Sequence, residues 1–213
     1  MAIDFSFSVK VFSALFAIMN PIANIPVFLS LTEGVSDTGK RKIAAVTFVG
    51  TTIGCLISVT AGEAILRVFG VTIADFRLAG GLLVLLIALD MLHGSSSAQH
   101  TPRQSELGDN GADQDVAVFP LTMPLLVGPG TIATLIVFGH TATEEGKEVS
   151  LALGLAVFLV LLAITLFSAP RIGRVLSPKV TAITKRLMGM ILAAIAVEMM
   201  TASLSALFKG LAR

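Results

Sequence analysis

Two long apolar stretches of this chain each contain a pair of prolines whose members lie five residues apart. The first stretch reads MNPIANIPVF and holds Pro21 and Pro26, and the second reads TMPLLVGPGT and holds Pro124 and Pro129. Proline lacks a backbone N–H and its ring collides with the preceding turn, so a helix is kinked or broken there. In a bilayer, the freed peptide groups must contact protein or water rather than lipid. The two pairs therefore predict two interrupted membrane helices.

The composition indicates an integral membrane protein. Of the 213 residues, 54% are hydrophobic and 14% are charged, with a mean hydropathy of +0.89. A soluble domain of this size carries roughly a quarter charged residues. The net charge of +1 provides no field that favours nucleic acid as a partner. No cofactor motif, ATP-binding loop or metal-ligand spacing is found in the sequence, so we expect no metal and no cofactor.

Hydropathy and length predict an all-α protein with six transmembrane helices, each near the ~20 residues that cross a bilayer. The predicted spans are residues 9–31, 43–62, 76–93, 117–140, 149–169 and 186–208. A polar segment, residues 94–116, divides the chain into a first three-helix unit, residues 1–93, and a second, residues 117–213. Its Gly, Ser, Asp, Asn and Gln content predicts a mobile loop.

The distribution of Lys and Arg predicts the orientation. The loops after spans one, three and five carry nine Lys and Arg residues, and the opposite side carries six. Because the excess of positive charge stays inside, the 94–116 loop is predicted to be cytoplasmic and both termini to lie outside, in the periplasm of a Gram-negative cell.

The two halves share more than their prolines. Span three begins with RLAGG and span six with RLMGM, and each is followed by an acid, Asp90 or Glu198, that directly precedes a Met. Units of three spans enter the membrane from opposite sides, so the pattern predicts an inverted repeat, as in many secondary transporters. Chance similarity between apolar helices is the alternative, and spans two and five show no match.

Four segments together resemble one known family. MNPIANIPVFLSLT, FRLAGGLLVLLIALDML, PLTMPLLVGPGTIAT and TKRLMGMILAAIAVEM are similar to signature segments of the MarC family of six-span bacterial inner-membrane proteins. The resemblance covers essentially the whole chain. It implies a multi-pass protein of the bacterial inner membrane, of the type also called the neutral amino acid transporter family. Some members of that family are assigned glycine or alanine as substrates.

The first proline segment offers the better set of substrate ligands. Asn20, Pro21, Asn24 and Pro26 lie where the helix is predicted to unwind. Two amides and freed carbonyl and N–H groups would hold both ends of a zwitterion, with the carboxylate at the N-terminus of the second half-helix. The alternative is that Asn20 and Asn24 only cap or bridge the kinked backbone.

The second proline segment offers hydroxyl groups and a close backbone approach. Two glycines beside a proline leave room for a small bound molecule. The alternative is a plain helix crossing, where small residues are favoured in any case. The candidate substrate residues are Thr122, Pro124, Gly128, Pro129, Gly130 and Thr131.

Two acids are candidates for ion coupling. Glu198 lies twelve residues after Arg186 and is predicted to reach mid-bilayer, where a charged carboxylate costs about 3 kcal/mol. It must therefore be partnered or protonated, which makes it the predicted proton site. Asp90 is the second candidate, although it lies three residues from His93, a position more typical of a solvated acid at a helix end.

These features predict a secondary transporter of a small neutral solute, coupled to a proton or sodium gradient, and not an enzyme. A passive channel or exporter on the same scaffold is the main alternative. An intramembrane enzyme is disfavoured, because HExxH is absent, the sole Gly-Asp pair lies in the polar loop and no His is deep in a span. A chain that only supports another membrane protein remains a further alternative.

Overall fold

A computed structural model describes residues 3–93, 117–172 and 177–208. All regular secondary structure within these ranges is helical. The predicted polar loop, residues 94–116, lies outside them. The elements are α1 (Phe5–Met19), α2 (Pro21–Leu31), α3 (Asp37–Val68), α4 (Ile73–His93), a π-helix (Ala117–Leu126), α5 (Pro129–Glu145), α6 (Glu148–Ile172) and α7 (Pro178–Leu207).

Four helical segments within the described ranges are long and apolar enough to cross a membrane. They are Phe5–Leu31, Asp37–Val68, Glu148–Ile172 and Ala182–Leu207. The prediction of an all-helical chain with membrane-spanning helices is therefore confirmed. The six-span count is not, because α4 and α5 are not among the four. Large apolar side chains such as Val49, Ile53 and Val160 are exposed on the outer faces of these helices, as lipid contact requires.

The first apolar stretch is interrupted once, directly before Pro21. Helix α1 ends at Met19, and Asn20 takes the left-handed conformation with φ 38° and ψ 66°. Asn tolerates this region better than other residues with a side chain. Helix α2 then begins with Pro21, whose missing N–H would have no partner in a first turn. The expected break over both prolines is not confirmed, since α2 continues through Pro26, whose ring is exposed.

The second stretch is also interrupted once, but before the second proline of its pair. The π-helix passes through Pro124 and ends at Leu126, and α5 begins at Pro129. The N–H of Val127 donates to the carbonyl of Thr122 at 2.8 Å, the five-residue spacing of a π-helix. The expected break at Pro124 is therefore not observed, because the wider turn accommodates that residue.

Helices α4 and α7 form an antiparallel pair with a close approach at both ends. A Cβ on Gly80 would lie 2.6 Å from the Cβ of Ala133 on α5 and 3.6 Å from the terminal methyl of Met199 on α7. At the other end, a Cβ on Gly189 would lie 3.1 Å from the Cβ of Met91. The glycines of the two RLxG motifs thus each contact the Met that follows the acid of the other helix.

One part of the buried core lies between α1 and α6. Val11, Leu15, Phe158 and Leu162 are fully buried in it. The two helices approach most closely at Gly154, where a Cβ would lie 2.5 Å from the carbonyl oxygen of Ser8. This packing fixes α1, and therefore the first interruption at its end, against the second half of the chain.

Candidate functional site

The first interruption is held together by two asparagine side chains. The N–H of Ala23 donates to Oδ1 of Asn20 at 3.3 Å, which caps α2. The carbonyl of Met19, the last residue of α1, accepts from Nδ2 of Asn24 at 2.7 Å. The capping role considered for both residues is therefore observed. Nδ2 of Asn20 is buried and has no partner among the described residues, so one donor remains.

A hydroxyl group serves the same purpose at the second interruption. The hydroxyl of Thr131 donates to the carbonyl of Leu126, the last residue of the π-helix, at 2.9 Å. Within the π-helix, the hydroxyl of Thr122 donates to the carbonyl of Ala117 at 2.7 Å. In both stretches, a side chain five residues further along thus replaces the donor that the helix end has lost.

Among the described residues, two members of the first predicted substrate cluster line a small gap beside the π-helix. Pro21 and Asn24 line a gap that faces Leu121, Leu125 and Leu126 of the π-helix. Its volume is about 10 Å³. This volume is close to the minimum that holds one water molecule. An amino acid does not fit between the interruptions in this conformation.

The described members of the second cluster do not line this gap. Gly130 is buried, and a Cβ there would lie 2.9 Å from Cδ1 of Ile18 and 3.0 Å from Cδ1 of Ile87. Pro129 is exposed, and Gly128 precedes α5 in an extended conformation, φ −89° and ψ 174°, without a side-chain cap. The side chain of Pro124 lies outside the described part of the chain.

A larger cavity of about 170 Å³ lies between α1, α4, α5 and α7. Its walls are mostly apolar, and they carry a small number of polar groups, as ligand sites do. The polar groups are Lys10 of α1, Arg77 of α4, Thr134 and Thr141 of α5 and Glu198 of α7. Of these five, Glu198 is a site residue predicted from the sequence.

The cavity contains two cations, one carboxylate and unused hydrogen-bonding capacity. Nζ of Lys10 forms an ion pair with Glu198, and the two side chains are 51% and 56% exposed. Arg77 donates from Nη2 to the hydroxyl of Thr141 at 3.3 Å. Nε of Arg77 and the hydroxyl of Thr134 are buried without a partner among the described residues. An anionic group fits beside the cations, and a cationic group fits beside Glu198.

The second predicted coupling residue, Asp90, belongs to a different place. It lies near the end of α4, at the level where Gly189 of α7 contacts Met91. Glu198 is nine residues beyond Gly189, about 14 Å along a helix that rises 1.5 Å per residue. The two acids therefore lie toward opposite ends of the α4–α7 pair and do not form one site.

Beside the cavity, the start of α1 is fastened to the start of α6. Lys147 forms an ion pair with Asp4 at 2.9 Å, and the N–H of Asp4 donates to the hydroxyl of Ser150 at 2.8 Å. The hydrogen bond from Lys147 is the main cause that lowers the pKa of Asp4. Hydrogen bonds to Asp4 and then Glu145 raise the pKa of Lys147. These contacts fix the position of Lys10, which lies two turns further into α1.

The sequence contained a signal for two of the missed residues. Lys10 is a lone cation inside an apolar run, and an ionisable group at such a position is costly unless it has a partner or a function. Arg77 begins the RLAGG motif. The hydroxyl of Thr134, three residues after Thr131, was a weaker signal, because a hydroxyl in a membrane helix usually bonds to its own backbone.

Comparison with known proteins identifies relatives that are integral membrane proteins. The model of the MarC family integral membrane proteins matches residues 5–208. The UPF0056 membrane protein YhcE of Escherichia coli is 32% identical over 98% of this chain and 96% of its own length. The UPF0056 membrane protein MJ1677 of Methanocaldococcus jannaschii is 35% identical over 92% of this chain and 95% of its own length. No solved structure matches the chain significantly.

Proposed function

This chain belongs to the MarC family of integral membrane proteins, and we propose that it is a secondary transporter of a small neutral solute, an amino acid of glycine or alanine size. The observation that carries the proposal is the cavity between α1, α4, α5 and α7. Ionisable residues within membrane-spanning helices usually mark a solute or ion pathway, and this cavity carries an ion pair.

The cavity fits a zwitterion of that size. Its volume of about 170 Å³ is more than ten times that of the gap between the interruptions. The carboxylate of the solute would lie beside Arg77 and Lys10, and its ammonium beside Glu198. The Thr134 hydroxyl would complete the set of ligands. Since Lys10 and a solute ammonium compete for Glu198, binding would release the Lys10–Glu198 ion pair.

Coupling follows from the same competition. Glu198 is the proposed site for the coupling proton or sodium ion, because it is the carboxylate of the cavity. Asp90 remains a second coupling candidate, at the other end of the α4–α7 pair. The driving ion would displace Lys10 from Glu198 and so free the Lys10 ammonium for the solute carboxylate.

The interrupted helices are proposed to move solute past the one-water gap. Opening that gap would expose the backbone groups freed at each break, which bind charged solutes in transporters with broken helices. The proposed passage is lined by Asn20, Pro21, Asn24, Pro26, Thr122, Pro124, Gly128, Pro129, Gly130 and Thr131.

Packing supports the proposed inverted repeat and revises its alignment. A shift of 108 positions pairs Asn20 with Gly128, Pro21 with Pro129, and Asp90 with Glu198. The first pair consists of the residues that precede α2 and α5. The same shift also relates the contacts between helices. The α1–α6 contact corresponds to the contact of the π-helix with α3, α2–α6 corresponds to α5–α3, and α2–α7 corresponds to α5–α4. All six contacts are present.

The repeat requires six spans, with α4 and the π-helix–α5 segment as the remaining two. We propose that both termini face the periplasm and that the chain lies in the inner membrane. The test uses a Cys55→Ser background with Glu144→Cys or Lys42→Cys, residues at opposite ends of the bundle. An impermeant maleimide should label Glu144→Cys in intact spheroplasts, and Lys42→Cys only after permeabilisation. The reverse pattern would overturn the orientation.

Flux in proteoliposomes tests the transport proposal. We expect radiolabelled glycine or alanine to accumulate under an imposed proton or sodium gradient. Glu198→Gln should abolish the accumulation, and Glu144→Gln, an exposed acid outside the cavity, should behave as wild type. Absence of flux for every small amino acid in either direction would reject the substrate class. Flux that does not depend on either imposed gradient, and that is unchanged in Glu198→Gln, would identify a passive channel.

Two threonine variants on α5 distinguish a loss of solute binding from a loss of folded protein. Thr134→Val should raise the solute concentration that gives half-maximal uptake, because the unpartnered hydroxyl of Thr134 lines the cavity. Thr143→Val is the matched control on the same helix, since its hydroxyl bonds to the carbonyl of Gly139 at 3.1 Å. Equal loss of uptake in both variants, at equal amounts of folded protein, would remove the cavity as the binding site.

A further inference from the structure

A separate cavity of about 160 Å³ lies at the end of the bundle where α2 ends, α3 begins and α6 ends. Its charged lining residues are Asp37, Lys40 and Arg41 from the start of α3 and Arg171 from the last turn of α6. Three cations and one carboxylate give it a net charge of +2. It is independent of the proposed solute cavity, which lies toward the opposite end of α3.

The positive charge of this basic pocket is not neutralised by the described part of the protein. Within the described residues, Lys40, Arg41 and Arg171 form no ion pair with a carboxylate. Lys40 and Arg41 also lie in the first turns of α3, where free N–H groups carry the positive end of the helix dipole. Cations near that end repel one another and the dipole, and this repulsion destabilises the start of α3. A bound anion would neutralise the charge and stabilise the helix start.

The pocket is apolar on the side that faces the membrane helices. Phe28 and Leu166 form a buried floor, and Phe167 at the rim is 42% exposed. From Phe167, exposed apolar side chains continue along one face of α6 at helical spacing, namely Ile164, Val160 and Val157. Because α6 is one of the four membrane-spanning candidates, this stripe leads from the pocket along the hydrocarbon region.

We propose that the basic pocket binds the phosphate headgroup of an anionic phospholipid. Lys40, Arg41 and Arg171 contact the phosphate oxygens, and an acyl chain lies on the stripe that begins at Phe167. A free phosphate ion has the same headgroup chemistry, but it leaves the apolar floor and the stripe without a ligand. Basic pockets between membrane helices bind lipid headgroups in this way.

The test measures lipid binding to the purified, delipidated protein by native mass spectrometry, with phosphatidylglycerol, phosphatidylcholine and inorganic phosphate as the three arms. We expect phosphatidylglycerol to bind more tightly than phosphatidylcholine, and we expect inorganic phosphate to displace it poorly. Arg171→Gln and Arg41→Gln should each weaken phosphatidylglycerol binding about fivefold, the change expected for one basic side chain at a membrane surface. Lys42→Gln, an adjacent exposed cation that does not line the pocket, should bind as wild type.

Three results would overturn the proposal. Equal binding of the two lipids by wild-type protein would exclude headgroup recognition, and this arm needs no variant to fold. Full displacement by millimolar phosphate would identify a free-anion site. A loss in Lys42→Gln as large as that in Arg171→Gln would indicate diffuse charge attraction. If Arg171→Gln fails to fold, Arg171→Lys keeps the charge and should retain most of the binding.

Discussion

The two interruptions are expected to depend on side-chain donors that replace lost backbone hydrogen bonds, and Thr131→Val tests this directly. Thr131 and the carbonyl-bearing Leu126 are 3% and 2% exposed, and their hydrogen bond is 2.9 Å long. Valine keeps the shape but leaves a buried acceptor without this donor. Such a loss costs about 1–3 kcal/mol in proteins generally, whereas side-chain hydrogen bonds within membranes average about 0.6 and reach about 1.7.

We therefore expect Thr131→Val to cost about 1–2 kcal/mol. For a chain of this size, each kcal/mol lowers Tm by about 2–4 °C, so Tm should fall by about 2–8 °C. Cys55 provides the assay, because it is the sole cysteine and is fully buried. Unfolding in detergent exposes its thiol to a fluorogenic maleimide, and the midpoint of the fluorescence rise gives Tm.

Thr52→Val is the matched control. The hydroxyl of Thr52 donates to the carbonyl of Phe48 at 2.8 Å within the uninterrupted helix α3. That carbonyl is also the acceptor for the regular helical hydrogen bond, so removing the hydroxyl should change stability by less than about 0.5 kcal/mol. An unchanged Tm in Thr131→Val, or an equal fall in Thr52→Val, would show that the hydroxyl at the break does not replace a backbone donor.

Three further outcomes follow from the same structure. Asn20→Ala should be about 1–2 kcal/mol less stable than Asn20→Gly and should have the lower Tm. Both variants lose the cap, and only alanine is strained at φ 38°. Gly154→Ala should lower Tm measurably, since its Cβ would lie 2.5 Å from the carbonyl of Ser8. The stability that Asp4 and Lys147 contribute should be lost below about pH 4, as the carboxylate with the lowered pKa is protonated, and above about pH 10, as the ammonium with the raised pKa is deprotonated. The Tm difference between wild type and Asp4→Asn, measured from pH 3 to 11, should therefore shrink at both ends of the range.

The class of fold could be predicted because it depends on bulk properties. A chain that is 54% hydrophobic and 14% charged has too little polar surface for a soluble domain, and the apolar runs exceed the length of buried strands. The structure confirms the helices, and the family match confirms the resemblance. The number of spans stays a prediction, because length and hydropathy of the described helices select four segments.

The exact place of each interruption could not be predicted from proline alone. Proline is favoured in the first turn of a helix, so one proline of each pair starts a helix while the other is tolerated within one. The residues that precede Pro21 and Pro129 were the better signal. Asn20 and Gly128 are both favoured before a helix, whereas Ile25 and Met123, which precede the other two prolines, are not.

The cavity was harder to predict because its groups come from distant parts of the chain. Lys10 and Glu198 are separated by 188 positions, and Arg77 and Thr141 by 64. A single sequence gives the cost of each charge in an apolar run but not the identity of its partner. Glu198 could be predicted because it lies deep in a span, and its need for a partner follows from the cost of its charge, but the sequence does not identify Lys10 as that partner.

The two half-helix ends that the prolines create are not equivalent as sites for an anion. At the start of α2, the side chain of Asn20 already accepts the N–H of Ala23, so that donor is occupied. At the start of α5, Gly128 has no side chain and no side-chain cap is formed. Free N–H groups at a helix start bind carboxylates. Under the proposed transport function, the solute carboxylate would therefore meet the second interruption first, and Gly128→Ser, which adds a capping hydroxyl, should weaken uptake while stabilising α5.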